Sequence, residues 1–110
     1  MVSELTKMKC KPCEGGVPPL KGEDLQKNLE QVEGWEIIEE HHLVKEWKFP
    51  DFKTALEFVN NIGEIAEEQG HHPNIDFTWG KVKISFWTHS IGGLSVNDFI
   101  MAAKIDDLEI

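Results

Sequence analysis

The stretch Glu67 to Asp98 reads EEQGHHPNIDFTWGKVKISFWTHSIGGLSVND, and its alternation decides the fold. Ile75, Phe77 and Trp79 alternate with polar residues before Gly80-Lys81, and Val82, Ile84 and Phe86 do so after it. A period of two over such short runs marks half-buried strands, and glycine at the first of two loop positions suits a II′ hairpin turn. That turn predicts Trp79 opposite Val82, Phe77 opposite Ile84 and Ile75 opposite Phe86, all six on one face. Carried further, the same register sets Pro73 opposite Thr88 and His72 opposite His89. Two histidine groups far apart in sequence then meet at the open end of one hairpin.

The flanking segments supply the rest of a domain. Phe52, Ala55, Leu56, Val59, Ile62, Gly63 and Ala66 recur with the helical period, with Asp51 placed to cap the start and Gly70 to end it. At about 100° per residue, Glu67 falls beside Gly63 and Leu56, on the shoulder of that stripe, which aims one carboxylate at the hairpin. Upstream, Trp35 to Glu39 and Leu43 to Phe49 read as strands, with Glu40-His41-His42 in or near their turn. Leu43, Lys45, Trp47 and Phe49 share a face, Lys45 being the polar exception. Leu25, Leu29 and Val32 predict a first helix from about Gly22 to Gln31, closed by Gly34. Downstream, Ser90 to Leu94 reads as a loop. A last helix starts near Ser95, with Asp98 in capping-box spacing and Phe99, Ala102, Ala103 and Ile105 as apolar positions. The order α-β-β-α-β-β-α predicts an α+β two-layer sandwich, a four-stranded antiparallel sheet with helices on one face.

Composition narrows the functions open to such a domain. The chain has 110 residues and a formal net charge of -9, with no basic surface suited to a phosphate backbone. No apolar run reaches the roughly 20 residues that span a bilayer, and the first residues lack a signal-peptide core, so a cytoplasmic protein is expected. Residues 1–20 read as an N-terminal arm and 21–110 as the domain. The arm carries the two cysteines, Cys10 and Cys13, in C-x-x-C spacing. Zinc would need two more ligands than this pair offers, and the Gly/Pro-rich residues that follow read as loop.

The chemistry-bearing set is His71, His72, His89, Glu67 and Asp98. Each has a structural reading alone: histidines after a helix interact with its dipole, and Asp98 can serve only to start a helix. Together they place three imidazoles and one carboxylate at one hairpin end, beside Trp79 or Trp87, where donors and acceptors of protons are both present near neutral pH. Three histidines plus Glu67 also have the donors for a zinc site, although adjacent residues seldom aim both rings at one ion. His41 and His42 read as solvated turn residues.

These residues resemble a known family. E-x-x-x-H-H-P, five residues, an aromatic, nine residues, His, eight residues, Asp is the signature of the pterin-4a-carbinolamine dehydratases. Here it is met by Glu67, His71, His72, Pro73, Trp79, His89 and Asp98. The likeness extends through Gly34-Trp35 and Phe49-Pro50-Asp51-Phe52, over about residues 22–105. Two departures are mild: Trp79 stands where tyrosine is also usual, and Gly70 replaces an acidic residue of animal members. The resemblance implies a hydro-lyase that dehydrates a 4a-hydroxytetrahydropterin (a pterin-4a-carbinolamine) to quinonoid dihydropterin in tetrahydropterin recycling. It implies no metal and no organic cofactor, a small-molecule pterin as partner, and a homodimer or homotetramer. His71 and His89 would be the acid/base pair, with His72 holding and polarising substrate. Glu67, Pro73, Thr88, Ser90, Ile91 and Asp98 would line the substrate, and Trp35 and Trp79 would supply aromatic surface. A binding module is the alternative of another class, because animal members also act as dimerisation cofactors of a transcription factor.

Overall fold

In a computed structural model, residues 19–108 are described; Cys10, Cys13 and the rest of the arm to residue 18 lie outside them. The elements are α1 (Glu23–Leu29), β1 (Glu36–Ile38), β2 (His42–Lys48), α2 (Phe52–Gln69), β3 (Asn74–Thr78), β4 (Lys81–Phe86) and α3 (Val96–Asp106), with a short 3₁₀ turn at His89–Ile91 before α3. All strand pairs are antiparallel, in the spatial order β1-β2-β4-β3. The expected element order and sheet are therefore present. The two hairpins join through β2 and β4, which occupy the centre.

The helices cover one face of the sheet. Leu43, Val82, Ile84 and Phe86 point into that layer and are fully buried, facing Ala55, Phe58, Ile62 and Ala66 of α2 and most of α3. In α2 the buried face is rotated from the expected stripe. Phe58, which the stripe omitted, enters the core, whereas Phe52 and Leu56 stay exposed. Phe58 is drawn inward by Trp47 and Phe49, whose ring centroids lie 4.9 and 5.3 Å away. Phe52 instead stacks on Phe77 of the edge strand at 5.0 Å. Asp51 caps α2 as expected, its carboxylate accepting from the Thr54 amide at 2.7 Å. Hydrogen bonding from Thr54 holds the Asp51 carboxyl below its ordinary value.

The second hairpin corrects the expected register. Its loop is Trp79-Gly80, with Thr78 paired to Lys81, Phe77 to Val82 and Ile75 to Ile84, a slip of two residues. A slip of two preserves which face each side chain takes, so the alternation holds while the cross-strand partners change. Gly80 has no positive φ, as a II′ turn would require at its first position. The turn is set instead by the end of β2: Phe49 N–H donates to the Gly80 carbonyl at 2.8 Å. A Cβ on Gly80 would sit 3.0 Å from the Phe49 carbonyl oxygen, a close approach that only glycine takes comfortably. Pairing with a neighbouring strand overrules the local turn preference.

The first hairpin turns through Glu39-Glu40-His41, with positive φ at both glutamates, so Glu40 and His41 lie in the turn as expected. His42 is the first residue of β2, paired with Ile38. Lys45, the polar exception on the inner face, is compensated by a partner that sequence patterning did not reveal. Its ammonium lies 2.7 Å from Asp106 and 5.1 Å from the Trp47 ring centroid. Asp106 also accepts from the Trp35 indole N–H, at 3.0 and 3.1 Å to its two oxygens, and from the Glu33 amide at 3.1 Å. Among the described residues no helix is long and apolar enough to cross a membrane. Asp106→Ala strands the Lys45 ammonium and the Trp35 N–H together, and should lower unfolding free energy by about 3 kcal/mol in urea titrations.

Candidate active site

The end of α2 delivers His71. Gly70 takes the left-handed conformation at φ 66°, and both its own amide and that of His71 return to the Ala66 carbonyl. The chain thus leaves the helix toward the end of β4. Extended outward from the observed pairing, the ladder sets His71 level with Thr88, where the expected register had set Pro73. The His71 ring stacks on Phe86 at 5.8 Å with planes 10° apart, on the helix-covered side of the sheet.

Asp98 meets it from α3. Its carboxylate is fully buried, and Oδ1 lies 2.6 Å from His71 Nε2. The other oxygen, Oδ2, accepts from Thr88 Oγ1 at 2.9 Å and from the Ser95 amide at 2.9 Å. The Thr88 hydroxyl is itself 2.8 Å from Ser95 Oγ. A carboxylate held this way cannot rotate, so it presents one oxygen to the imidazole. A proton lies between Nε2 and that oxygen, which makes Nδ1 the ring nitrogen left for chemistry. The His71 side chain is 14% exposed and Asp98 not at all, so a buried carboxylate fixes the orientation of a ring that still reaches the surface.

His72 turns the other way, to Glu67. The two are hydrogen-bonded through Nε2 and Oε2, and both side chains are largely exposed. Glu67 therefore reaches the start of the hairpin, as its helix position predicted, but from solvent rather than from the shoulder of the core. An exposed pair of this kind contributes little to stability and is free to exchange its partner for a ligand.

His89 lies against the opposite side of β4. Strand alternation turns Phe86 and Thr88 inward and Trp87 outward, and the His89 ring stacks on Trp87 at 4.6 Å with planes 24° apart. His41 and His42 close on the same indole at 5.5 and 6.0 Å, with their Nδ1 atoms 3.1 Å apart. Burial, followed by the neighbouring His41, pushes His42 below its ordinary pKa. The histidines lie at one end of the hairpin in two groups: His71 with its carboxylate on the helix side, and His89 on its indole on the other. The outward pair His42 and Trp87 was hidden in the sequence because it depends on Leu43 pairing with Phe86.

The remaining expected residues separate. Thr88 is buried and acts through its side chain, a role that spacing did not indicate. The turn after it is closed by Thr88 N–H to Gly93 O at 2.8 Å, Ile91 N–H to Thr88 O at 3.2 Å and Gly92 N–H to His89 O at 3.2 Å. The Thr88 and Ile91 amides are engaged within the turn, and the Thr88 and His89 carbonyls each accept one hydrogen bond there. Ser90 is exposed at the tip of that turn, and Pro73 joins His72 to β3. Trp79 occupies the hairpin loop, 68% exposed, at the other end of β3 from His71. The eight residues from His71 to Trp79, most of them in extended β3, at about 3.3 Å each carry it up to roughly 26 Å away, at the closed end of the hairpin. Trp35 is a core residue tied to Asp106. Among the described residues no three His, Cys, Asp or Glu side chains are grouped to hold a metal ion.

Comparison with known proteins gives a consistent family. The description Pterin 4 alpha carbinolamine dehydratase matches residues 18–108. A protein of Rubrobacter xylanophilus with the provisional name pterin-4-alpha-carbinolamine dehydratase is 53% identical over 107 residues, covering 97% of this chain and 100% of its own. A Rickettsia canadensis protein of the same provisional name is 50% identical, covering 93% and 94%. Among solved structures, a transcriptional coactivator/pterin dehydratase from Brucella melitensis superposes with a TM-score of 0.75 at 28% identity, covering 79% of this chain and 94% of that one.

Thr88→Val removes a donor from the buried carboxylate and should cost about 2 kcal/mol of unfolding free energy. His42 binds its proton less readily folded than unfolded, so its contribution is present above about pH 6.5 and is lost as pH falls below that value. Denaturation midpoints of the wild type should fall between pH 7 and 5.5 more steeply than those of His42→Leu.

Proposed function

Because this chain belongs to the pterin 4 alpha carbinolamine dehydratase family, we propose that it is a hydro-lyase that converts a 4a-hydroxytetrahydropterin to quinonoid dihydropterin and water, a step of tetrahydropterin recycling. The observation that carries this reading is the buried Asp98 carboxylate at 2.6 Å from His71 Nε2. Elimination of water across C4a and N5 needs one proton delivered to the departing hydroxyl and one removed from N5. The N5 lone pair forms the C4a–N5 double bond as the C4a–O bond breaks. His71, with Nε2 committed to Asp98, has Nδ1 to accept the N5 proton, and the carboxylate stabilises the imidazolium that results. His89, reaching from the other side of β4, would protonate the hydroxyl so that it leaves as water. Each positioned transfer is worth about 10²–10⁴-fold.

Recognition falls to the groups around that pair. The amide-like edge of a pterin carries N–H donors at N3 and the 2-amino group, which match main-chain carbonyls of the His89–Ile91 turn and of His71 to Pro73. His72 and Glu67, exposed and paired to each other, would hold and polarise the bound ring. The reaction proposed draws its driving force from the substrate's own nitrogen and calls for neither metal nor organic cofactor. Self-association is part of the reading. Phe52 and Leu56 are exposed on one side of α2, where a second copy would cover them.

Stopped-flow absorbance of freshly generated 4a-hydroxytetrahydropterin tests these roles. His71→Ala and His89→Ala should each slow turnover by about 10²–10⁴-fold, with chelator leaving the wild type unchanged. His72→Ala should raise KM more than it lowers kcat. Loss of activity on chelation would point to a metal site. Absence of catalysis in the wild type would favour a binding module, tested by partner capture with the triple-histidine variant.

A further inference from the structure

Trp87 has no place in the histidine signature, yet it is the residue on which His89 rests. β4 ends at Phe86, the next side chain turns to the open face, and the chain then bends through the His89–Ile91 turn. His89 is exposed, so its ring would ordinarily sample several rotamers. Stacking at 4.6 Å and 24° selects one of them. The indole face carries negative quadrupole density, which attracts an imidazolium more than a neutral imidazole. Resting on the reading of His89 as proton donor, we infer that Trp87 is a positioning residue that fixes the His89 ring and favours its protonated form.

The surroundings of the indole agree with this role. The titratable and charged groups facing the cluster are Glu39 and His41 from the first hairpin turn, His42 from β2 and Lys83 from β4. His42 is desolvated and pushed toward its neutral form by burial and by His41, with Lys83 acting in the same direction and Glu39 opposing. A neutral His42 does not compete as a second cation for the indole. Of the three imidazoles around Trp87, His89 lies closest and most nearly parallel to the indole, at 4.6 Å and 24°.

Two-dimensional NMR of the imidazole nitrogens, recorded across pH on the full chain, tests the inference directly. Trp87→Leu should lower the His89 pKa by about half a unit relative to wild type, and Trp87→Phe, whose face is weaker, by less. In the dehydration assay the alkaline limb of kcat should move down by the same amount. An unchanged His89 pKa in Trp87→Leu overturns the inference, whatever turnover does. A lowered pKa with an unmoved alkaline limb upholds the hold of Trp87 on His89 and overturns the donor role of His89. If Trp87→Leu does not fold, Trp87→Phe decides by the same criterion: a lowered His89 pKa upholds the inference and an unshifted one overturns it.

Discussion

A carboxylate with no access to water is the constraint around which this fold closes. Asp98 must have partners for both oxygens, since an unpaired buried charge is among the costliest defects a protein can carry. It finds them in three separate places: the Ser95 amide at the start of its own helix, the Thr88 hydroxyl beyond β4, and the His71 ring beyond α2. Satisfying one side chain therefore ties α3, the end of β4 and the exit of α2 into a single joint. The imidazole is one of the partners that satisfy it. Stability and the orientation of the candidate base come from the same set of hydrogen bonds.

The sheet then divides the candidate site between its two faces. On the helix side His71 is enclosed, stacked on Phe86 and paired with a fixed anion. On the open side His89 rests on an indole, with two further imidazoles around it. The two rings therefore sit in different environments, one enclosed beside a fixed anion and the other exposed on an indole. A carboxylate partner suits an imidazole that must receive a proton and hold it, while an exposed ring on a π face suits one that gives a proton away and recovers it from water. The pterin reaction proposed for this family member needs both kinds of group, and strand alternation at Phe86, Trp87 and Thr88 separates them within three residues.

A comparable joint holds the far side of the domain. Asp106, about two turns along α3 from Asp98, gathers the Lys45 ammonium, the Trp35 indole and the Glu33 amide. Lys45 occupies an inner-face position that patterning would give to an apolar residue, and it is tolerated there because its ammonium is paired with Asp106 and lies over the Trp47 ring. Both acidic residues of α3 thus anchor the helix to chain segments that precede it by many residues.

Sequence by itself determined the kind and order of the elements, because alternation, the helical stripe, the Asp51 cap, the Gly70 stop and the Ser95–Asp98 spacing are local signals. It also brought His71, His72 and His89 to one end of one hairpin, since a two-residue slip moves partners without changing faces or ends. Tertiary structure decided the rest. Turn chemistry favoured Gly80-Lys81 as the loop, but the backbone bond from Phe49 to Gly80 outweighed it, and Trp79 moved from the buried ladder to the tip. The rotation of α2 toward Phe58, the pairing of Lys45 with Asp106, and the gathering of His41, His42 and Trp87 all depend on side chains from elements distant in sequence. Local propensity specifies what a segment forms; which side chains then meet is settled by how the segments pack, and that information is spread over the whole chain.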